Sequence, residues 1–182
     1  MGSPRYGWAG LEAKRGGLVE DLLPEYVPRV YRYALRLTHD HHVAEDIVQE
    51  TFLRAWRGRR RLRNPQSARV WLLRIATNVW RDRLRNRTRQ ATGTRPLPDD
   101  IPGTVLEPGK TMAERETLRE VLRMMDSLPP RQRQVLYLSA VEAMPLDEIA
   151  QVLGINYQSA KASLSLARKV IRQQFSAFEQ QG

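Results

Sequence analysis

The residues of this sequence best suited to chemistry are arginines, and most of them lie in one block. Between Arg54 and Arg89 there are 13 arginines and one acid, Asp82, so these 36 residues carry a charge of +12. The whole chain of 182 residues carries +10, and residues 1–53 carry −2. Such a run can be a solvated face, but three tryptophans interrupt it, which favours a polyanion that also offers flat bases for stacking. These tryptophans are Trp56, Trp71 and Trp80.

Composition excludes several other functions. The sequence has no cysteine, which excludes disulfides, thiolate zinc sites and cysteine nucleophiles. No apolar run approaches the roughly 20 residues of a membrane helix, and no secretory signal is present, so we expect a cytoplasmic protein. His39, His41 and His42 could bind metal or sense pH, but a solvated turn is the favoured interpretation. We predict no catalytic residue, no metal site and no cofactor.

A segment near the carboxyl terminus has the spacing of a helix-turn-helix. A short helix is predicted to run from Leu146 to Leu153, Gly154 to end it, and Asn156 to cap a longer helix reaching about Phe175. The residues predicted to pack the two helices together are Ile149, Ala150, Leu153, Ala160, Leu164 and Ala167. The exposed residues that could contact base edges or phosphates are Gln158, Ser159, Lys161, Ala162, Ser165 and Arg168. An ordinary structural hairpin is the alternative.

Two further motifs lie in and beside the basic block. The first is a polar ridge on a predicted helix, formed by Asp46, Gln49, Glu50 and Arg54 at helical spacing. Its simplest interpretation is a solvated face with a Glu50–Arg54 ion pair worth about 0.3–0.5 kcal/mol. The second motif runs from Trp71 to Asn78, and its simplest interpretation is an amphipathic helix with tryptophans in the core.

The elements that must position these residues are helices, and no β pattern of useful length is present. We predict an all-α protein of two small helical domains joined by a flexible linker. Residues 1–21 are an N-terminal extension that could be disordered, and 22–90 form a three- or four-helix bundle. Residues 91–112 have the proline- and glycine-rich composition of a linker. Residues 113–176 form the domain with the helix-turn-helix, and 177–182 are a tail.

The order of these motifs resembles that of bacterial extracytoplasmic-function (ECF) sigma factors, the two-domain group of the sigma-70 family. The resemblance covers roughly Leu22 to Phe175. Its motifs are D-x-x-Q-E-x-F-x-x-x-W at Asp46–Trp56, W-L-x-x-I-A-x-N at Trp71–Asn78, and Leu128-Pro129 before D-E-I-A-x-x-L-G at Asp147–Gly154.

The resemblance implies a specificity subunit that binds core RNA polymerase through its β and β′ subunits and opens promoter DNA. Residues 22–90 would be sigma region 2, and 113–176 would be sigma region 4. The residues assigned to polymerase binding are Asp46, Gln49, Glu50 and Arg54. Those assigned to the −10 element are Arg61, Arg63, Asn64, Trp71, Arg74, Asn78, Arg81 and Arg85. The −35 element is assigned to the exposed residues of the helix-turn-helix named above.

The resemblance also implies an anti-sigma partner, which could be tethered to a membrane, and no small-molecule substrate. One departure concerns the recognition helix, where the family commonly has valine, a basic residue, a small residue and arginine. Here those positions hold Ala160, Lys161, Ala162 and Ser163, so −35 contact could be weaker or differently specific. A dimerising helix-turn-helix regulator that does not melt DNA is the alternative function. A nucleic-acid enzyme is disfavoured because no acidic cluster has metal-binding spacing.

Overall fold

The fold is described by a computed structural model covering residues 18–62, 64–90 and 120–179, with side chains described for 24–62, 64–86 and 120–178. The predicted linker at 91–112 therefore lies outside the described residues. The described chain is helical, and none of its helices is long and apolar enough to cross a membrane.

Three helices form what we call the N-terminal unit: α1 (Leu18–Thr38), α2 (His41–Arg57) and α3 (Ala68–Gln90). The connection between α2 and α3 contains two short 3₁₀ turns, Arg59–Arg61 and Pro65–Ser67. Helix α1 begins before residue 22, the start of the predicted domain. Helix α2 buries one apolar stripe, which includes Ile47, Val48 and Phe52.

Four helices form the C-terminal unit. Helix α4 is described over 120–126, and α5 (Pro130–Ala140), α6 (Leu146–Leu153) and α7 (Tyr157–Glu179) follow. Pro130 opens α5, a position that suits proline because it lacks an N–H that the first turn would leave unpaired. Helix α7 extends to Glu179, into the predicted tail.

The two units pack against each other and share one hydrophobic core. Helices α1 and α3 of the N-terminal unit contact α5 and α6 of the C-terminal unit, respectively. The shared core extends from Val30 and Leu72 to Leu138 and Ile149, all of them fully buried. The sequence pattern did not predict this direct packing of one unit on the other.

Two sequence interpretations are corrected by burial. His39 is only 9% exposed, so it is not a solvated residue, whereas His42 is exposed as expected. His41 and His42 belong to the first turn of α2, which Asp40 caps by accepting a hydrogen bond from Val43 N. Trp80 is buried, so it cannot stack on a base. Its apolar ring is covered by the shared core.

Candidate nucleic-acid interface

The predicted polar ridge lies on the surface of α2, opposite its buried stripe. Asp46 and Gln49 are exposed, and Glu50 and Arg54 are half-buried. Leu53, three to four residues after Gln49 and Glu50 on the same helix, is nearly half exposed, so the ridge includes an apolar side chain. A polar helix face with one exposed leucine is suited to binding another protein.

Ion pairs connect this ridge to α3. Arg54 donates hydrogen bonds to Glu50 (2.7 Å) and Asp82 (2.9 Å), and Asp82 also accepts one from Arg85. Arg83 donates to Asp46 at 3.1 Å. The Arg54 hydrogen bond lowers the pKa of the Asp82 carboxyl, and the Glu50 bond is the main cause of the raised pKa of Arg54. The one acid of the basic block therefore orients two arginines assigned to different surfaces.

One face of α3 carries four of the residues assigned to the −10 element, at intervals of three and four residues. Arg74, Asn78 and Arg85 are exposed, and Arg81 is half-buried. The opposite side is buried through Leu72, Ala76 and Val79, which fixes this polar stripe outward. Three guanidinium groups flanking a neutral amide can hold phosphates while the amide contacts a base.

The loop before α3 is ordered by its own polar groups. Asn64 Oδ1 accepts a hydrogen bond from Gln66 N at 2.9 Å and so caps the second 3₁₀ turn. Arg61 is exposed, and Trp71 is half-buried, with part of its surface packed against the core. Arg63 lies outside the described residues.

Trp56, at the end of α2, is 36% exposed and carries the Arg59 guanidinium 4.3 Å from its ring centroid. This cation–π pair was not predicted, although the three-residue spacing across the end of a helix could have indicated it. The pair presents a flat cationic surface beside the basic loop.

The helix-turn-helix has the predicted construction. Gly154 adopts a left-handed conformation (φ 61°) and Asn156 Oδ1 accepts a hydrogen bond from Ser159 N at 2.7 Å. All six residues predicted to pack the two helices together are buried, each less than 9% exposed: Ile149, Ala150, Leu153, Ala160, Leu164 and Ala167. These contacts fix the outward face of α7.

Most of the residues assigned to the −35 element lie on that outward face. Five of the six are exposed: Gln158, Lys161, Ala162, Ser165 and Arg168. Ser159 is half-buried, and its backbone N–H donates to the Asn156 cap. The same face continues to Lys169 and Arg172, both exposed, which the sequence interpretation did not include.

Comparison with known families identifies both units. A family model described as Sigma-70 region 2 matches residues 22–90, and one described as Sigma-70, region 4 matches residues 118–171. The first match covers the N-terminal unit from within α1 to the end of α3. The second covers α5 and α6 and most of α7. The two matches follow the order of the motifs in the sequence.

Individual relatives agree with these models. The ECF RNA polymerase sigma factor SigL of Mycobacterium tuberculosis is 32% identical over 168 residues, covering 90% of this chain and 92% of SigL. SigE of Mycolicibacterium smegmatis is 31% identical over 156 residues, covering 84% of this chain. This chain spans only 60% of the length of SigE.

A solved structure supports the same fold. The sigma factor RpoE of Bartonella quintana, solved with the anti-sigma factor NepR, superposes with a TM-score of 0.74 at 21% identity. The match covers 86% of this chain and 96% of that chain. At this identity the match concerns the fold.

Proposed function

Since this chain belongs to the ECF sigma factors of the sigma-70 family, we propose that it binds core RNA polymerase, recognises −35 and −10 promoter elements and promotes strand opening. One observation carries the proposal: a protein-binding ridge, a cationic stripe on α3 and a helix-turn-helix follow one another in one chain and are exposed together. A dimerising regulator would require neither the ridge nor the cationic stripe. In this proposed role the chain performs no catalysis itself, because polymerase carries out the chemistry.

The ridge is the proposed contact with the polymerase clamp, through Asp46, Gln49, Glu50 and Arg54. The ridge combines these polar side chains with the exposed Leu53 on the same helix, and a mixture of polar and apolar side chains is typical of protein interfaces. The links from Arg54 to Asp82 and from Asp46 to Arg83 hold the ridge against α3, so polymerase docking and DNA contact share one rigid unit.

The α3 stripe and the preceding loop are the proposed −10 surface. Arg61, Arg63 and Asn64 would contact the displaced strand, and Asn78 would contact a flipped base. The partial exposure of Trp71 supports its proposed contact with the −10 element, and Arg74, Arg81 and Arg85 supply positive charge. Opening exchanges base stacking for contacts with protein, at a cost of about a few kcal/mol per base.

The outward face of α7 is the proposed −35 surface, read as duplex in the major groove. The proposed contacts are those of Gln158, Ser159, Lys161, Ala162, Ser165 and Arg168. Arg168 Nη2 lies 3.5 Å from Ser139 Oγ, so it is held at the edge of the face rather than at its centre. This placement favours phosphate contact for Arg168.

Two consequences concern the setting of this activity. A factor that works with polymerase and promoter DNA acts in the cytoplasm, and we propose that location for this chain. The RpoE protein of Bartonella quintana was solved with an anti-sigma factor, and we propose an anti-sigma partner here as well.

Reconstitution tests the function. The purified chain is added to sigma-free core polymerase with a library of promoter fragments from the source genome, and transcripts are mapped. We expect discrete start sites preceded by a shared pair of elements. A matched reaction contains Gln49→Ala with Glu50→Lys. Sequence-specific binding to duplex DNA by the chain alone, with no transcripts from the mixture, would favour the dimerising regulator instead.

A further inference from the structure

The outward face of α7 does not offer the same reach at every position. Each residue turns an α-helix by about 100°, so the buried residues fix which way the others point. The packed side of α7 is marked by Ala160, Leu164 and Ala167, all buried. Over residues 157–165, the positions farthest around the helix from that side are Gln158, Ala162 and Ser165, all exposed. We call these three residues the centre line of α7.

Other residues of the same helix lie toward the edges of this face or toward its packed side. Lys161 is displaced by about 60° from Gln158, and Arg168 by about 80° in the same direction. Ser163, at the position where the family commonly has arginine, is displaced by about 140° and is half-buried. A side chain this short and half-buried cannot reach a base edge, so the base sequence must be read from another position.

Gln158 is the one residue of the centre line with a long polar side chain. Ala162 ends in a methyl group, and Ser165 ends in a short hydroxyl about two turns farther along the helix. Among the described residues nothing hydrogen-bonds to the Gln158 amide, whereas the Gln174 amide on the same helix donates to Ser127. Both ends of the Gln158 amide are therefore available to a ligand.

The first turn of α7 is also suited to holding the DNA backbone beside this amide. Asn156 caps the helix by accepting a hydrogen bond from Ser159 N, and the N–H groups of Tyr157 and Gln158 have no acceptor within the helix. Such N–H groups favour a phosphate, and Lys161 adds a positive charge one turn later. In a helix-turn-helix, the N-terminal residues of the second helix contact base edges. Gln158 lies at that end.

The chemistry of a primary amide in the major groove selects adenine. The Gln158 NH₂ group can donate to adenine N7 while its carbonyl oxygen accepts from adenine N6, and no other base presents this pair of groups there. Guanine presents two acceptors, which suit arginine or lysine, and cytosine presents a donor, which suits a carboxylate. Residues 155–167 contain no arginine and no acidic residue. Lys161 is their one cation, and it lies at the edge of the face.

We propose that Gln158 is the residue through which this chain reads its −35 element, by two hydrogen bonds to one adenine in the major groove. This inference rests on the proposed function and deepens it, since it names the base that the surface selects. Lys161 and Arg168 then hold phosphates at the edge of the face. Base reading is carried by the first turn of α7 rather than by position 163.

A promoter library with a randomised −35 element tests the proposal in transcription by the holoenzyme. Transcripts are counted for each sequence with core polymerase and either the wild-type chain or a variant. The wild-type chain should prefer adenine at one −35 position by about tenfold or more. Gln158→Ala should lose that preference alone. Gln158→Arg should replace it with a preference for guanine at the same position, because a guanidinium donates to guanine O6 and N7.

Gln173→Arg is the matched control, since it adds the same charge at an exposed position about four turns farther along α7. It should leave the adenine preference intact, and a shift to guanine in this control would overturn the proposal. The proposal would also be overturned by a wild-type chain without the adenine preference, or by a preference that Lys161→Ala removes and Gln158→Ala does not. Absence of promoter-specific transcripts from the wild-type chain would refute the proposed function instead.

Replacing the selected adenine by 7-deazaadenine gives a second readout at the level of one atom, because it removes N7 and leaves base pairing intact. Holoenzyme with the wild-type chain should bind the modified promoter several-fold more weakly than the natural one. Holoenzyme with Gln158→Ala makes no contact with N7, so its affinity should be the same for both promoters. Equal losses with the two chains would overturn the contact.

Discussion

Asn78 and Lys161 are both exposed, but one side chain is neutral and the other charged, so we expect them to contribute differently to the proposed DNA binding. Contacts with phosphates set affinity and its dependence on salt, whereas contacts with bases set sequence preference. The two side chains lie on different units, Asn78 on α3 and Lys161 on α7. Each can therefore be tested with the other as its control.

Asn78→Ala should relax the preference at one −10 position by about 1–3 kcal/mol, since one base contact is lost. The salt dependence of holoenzyme binding should stay nearly unchanged because no charge is removed. Lys161→Ala should instead weaken binding to the duplex −35 element, and the dependence of that binding on salt should become shallower. This variant should show no defect on a template whose −10 element is already melted. Normal opening by Asn78→Ala, with failure of Lys161→Ala on the pre-melted template, would reverse the two assignments.

His39 gives the fold a dependence on pH. Burial is the main cause of the lowered pKa of this imidazole, the Arg133 and Arg36 guanidiniums lower it further, and Asp126 opposes them. Protonation would also convert Nε2 from acceptor to donor, directly facing Arg133. The folded pKa lies below the unfolded value of about 6.5, so the unfolded chain binds the proton more readily. Stability is therefore lost as the pH falls below that value.

The matched variant for this effect is His39→Gln, which can still accept from Arg133 but does not titrate. Between about pH 7.5 and about pH 5.5, the urea midpoint of the wild-type chain should fall further than that of the variant. His41 and His42 are present in both proteins and cancel in the comparison. Equal falls in the two proteins would remove His39 as the cause.

At the scale of helices, the ends were the most predictable features, because single residues determine them. Gly154 after α6 and the Asn156 cap of α7 are local choices, and each lies where the sequence predicted it. The buried stripes followed from helical periodicity in the same way. The burial of His39 could not be predicted so, because the residues that contact its ring, Asp126 and Arg133, are distant in sequence.

Gly154→Ala tests one of these ends. The left-handed backbone at this position disfavours any residue with a Cβ, whereas the added methyl group would meet no atom within 4 Å. The cost should therefore come from the backbone alone, at about 1 kcal/mol in the free energy of unfolding. Chemical denaturation measures it, and Gly154→Asn should lose less because asparagine tolerates this conformation. An unchanged stability would contradict the assigned conformation.

The α2 ridge is tested by Gln49→Ala with Glu50→Lys. Association with core polymerase should weaken by about tenfold or more, since about 1.4 kcal/mol corresponds to a factor of ten and an interface charge is reversed. Glu120→Lys makes the same charge change and breaks a comparable local ion pair with Arg123, on α4 of the other unit. Pull-down and circular dichroism of both variants separate binding from folding. Equal affinity of the two variants would remove the ridge assignment.

At the scale of the whole molecule, the family and the order of the ridge, the cationic stripe and the helix-turn-helix could be predicted from the sequence. The packing of one unit on the other could not. The contacts that join the units pair residues such as Arg29 with Glu142 and Arg69 with Glu148, which no local spacing relates. Their charges alone look like solvated surface in the sequence. Only the fold places Tyr33, Thr77 and Gln134 in one buried chain.

Strand opening is the central claim, and permanganate reactivity of unpaired thymines measures it directly. Core polymerase, a promoter fragment found by reconstitution and the wild-type chain are combined and compared with polymerase alone. Thymines of the −10 element should become reactive only when the chain is present, while the −35 element stays double-stranded and protected. A promoter that is bound and protected at both elements but carries no reactive thymine would contradict the account.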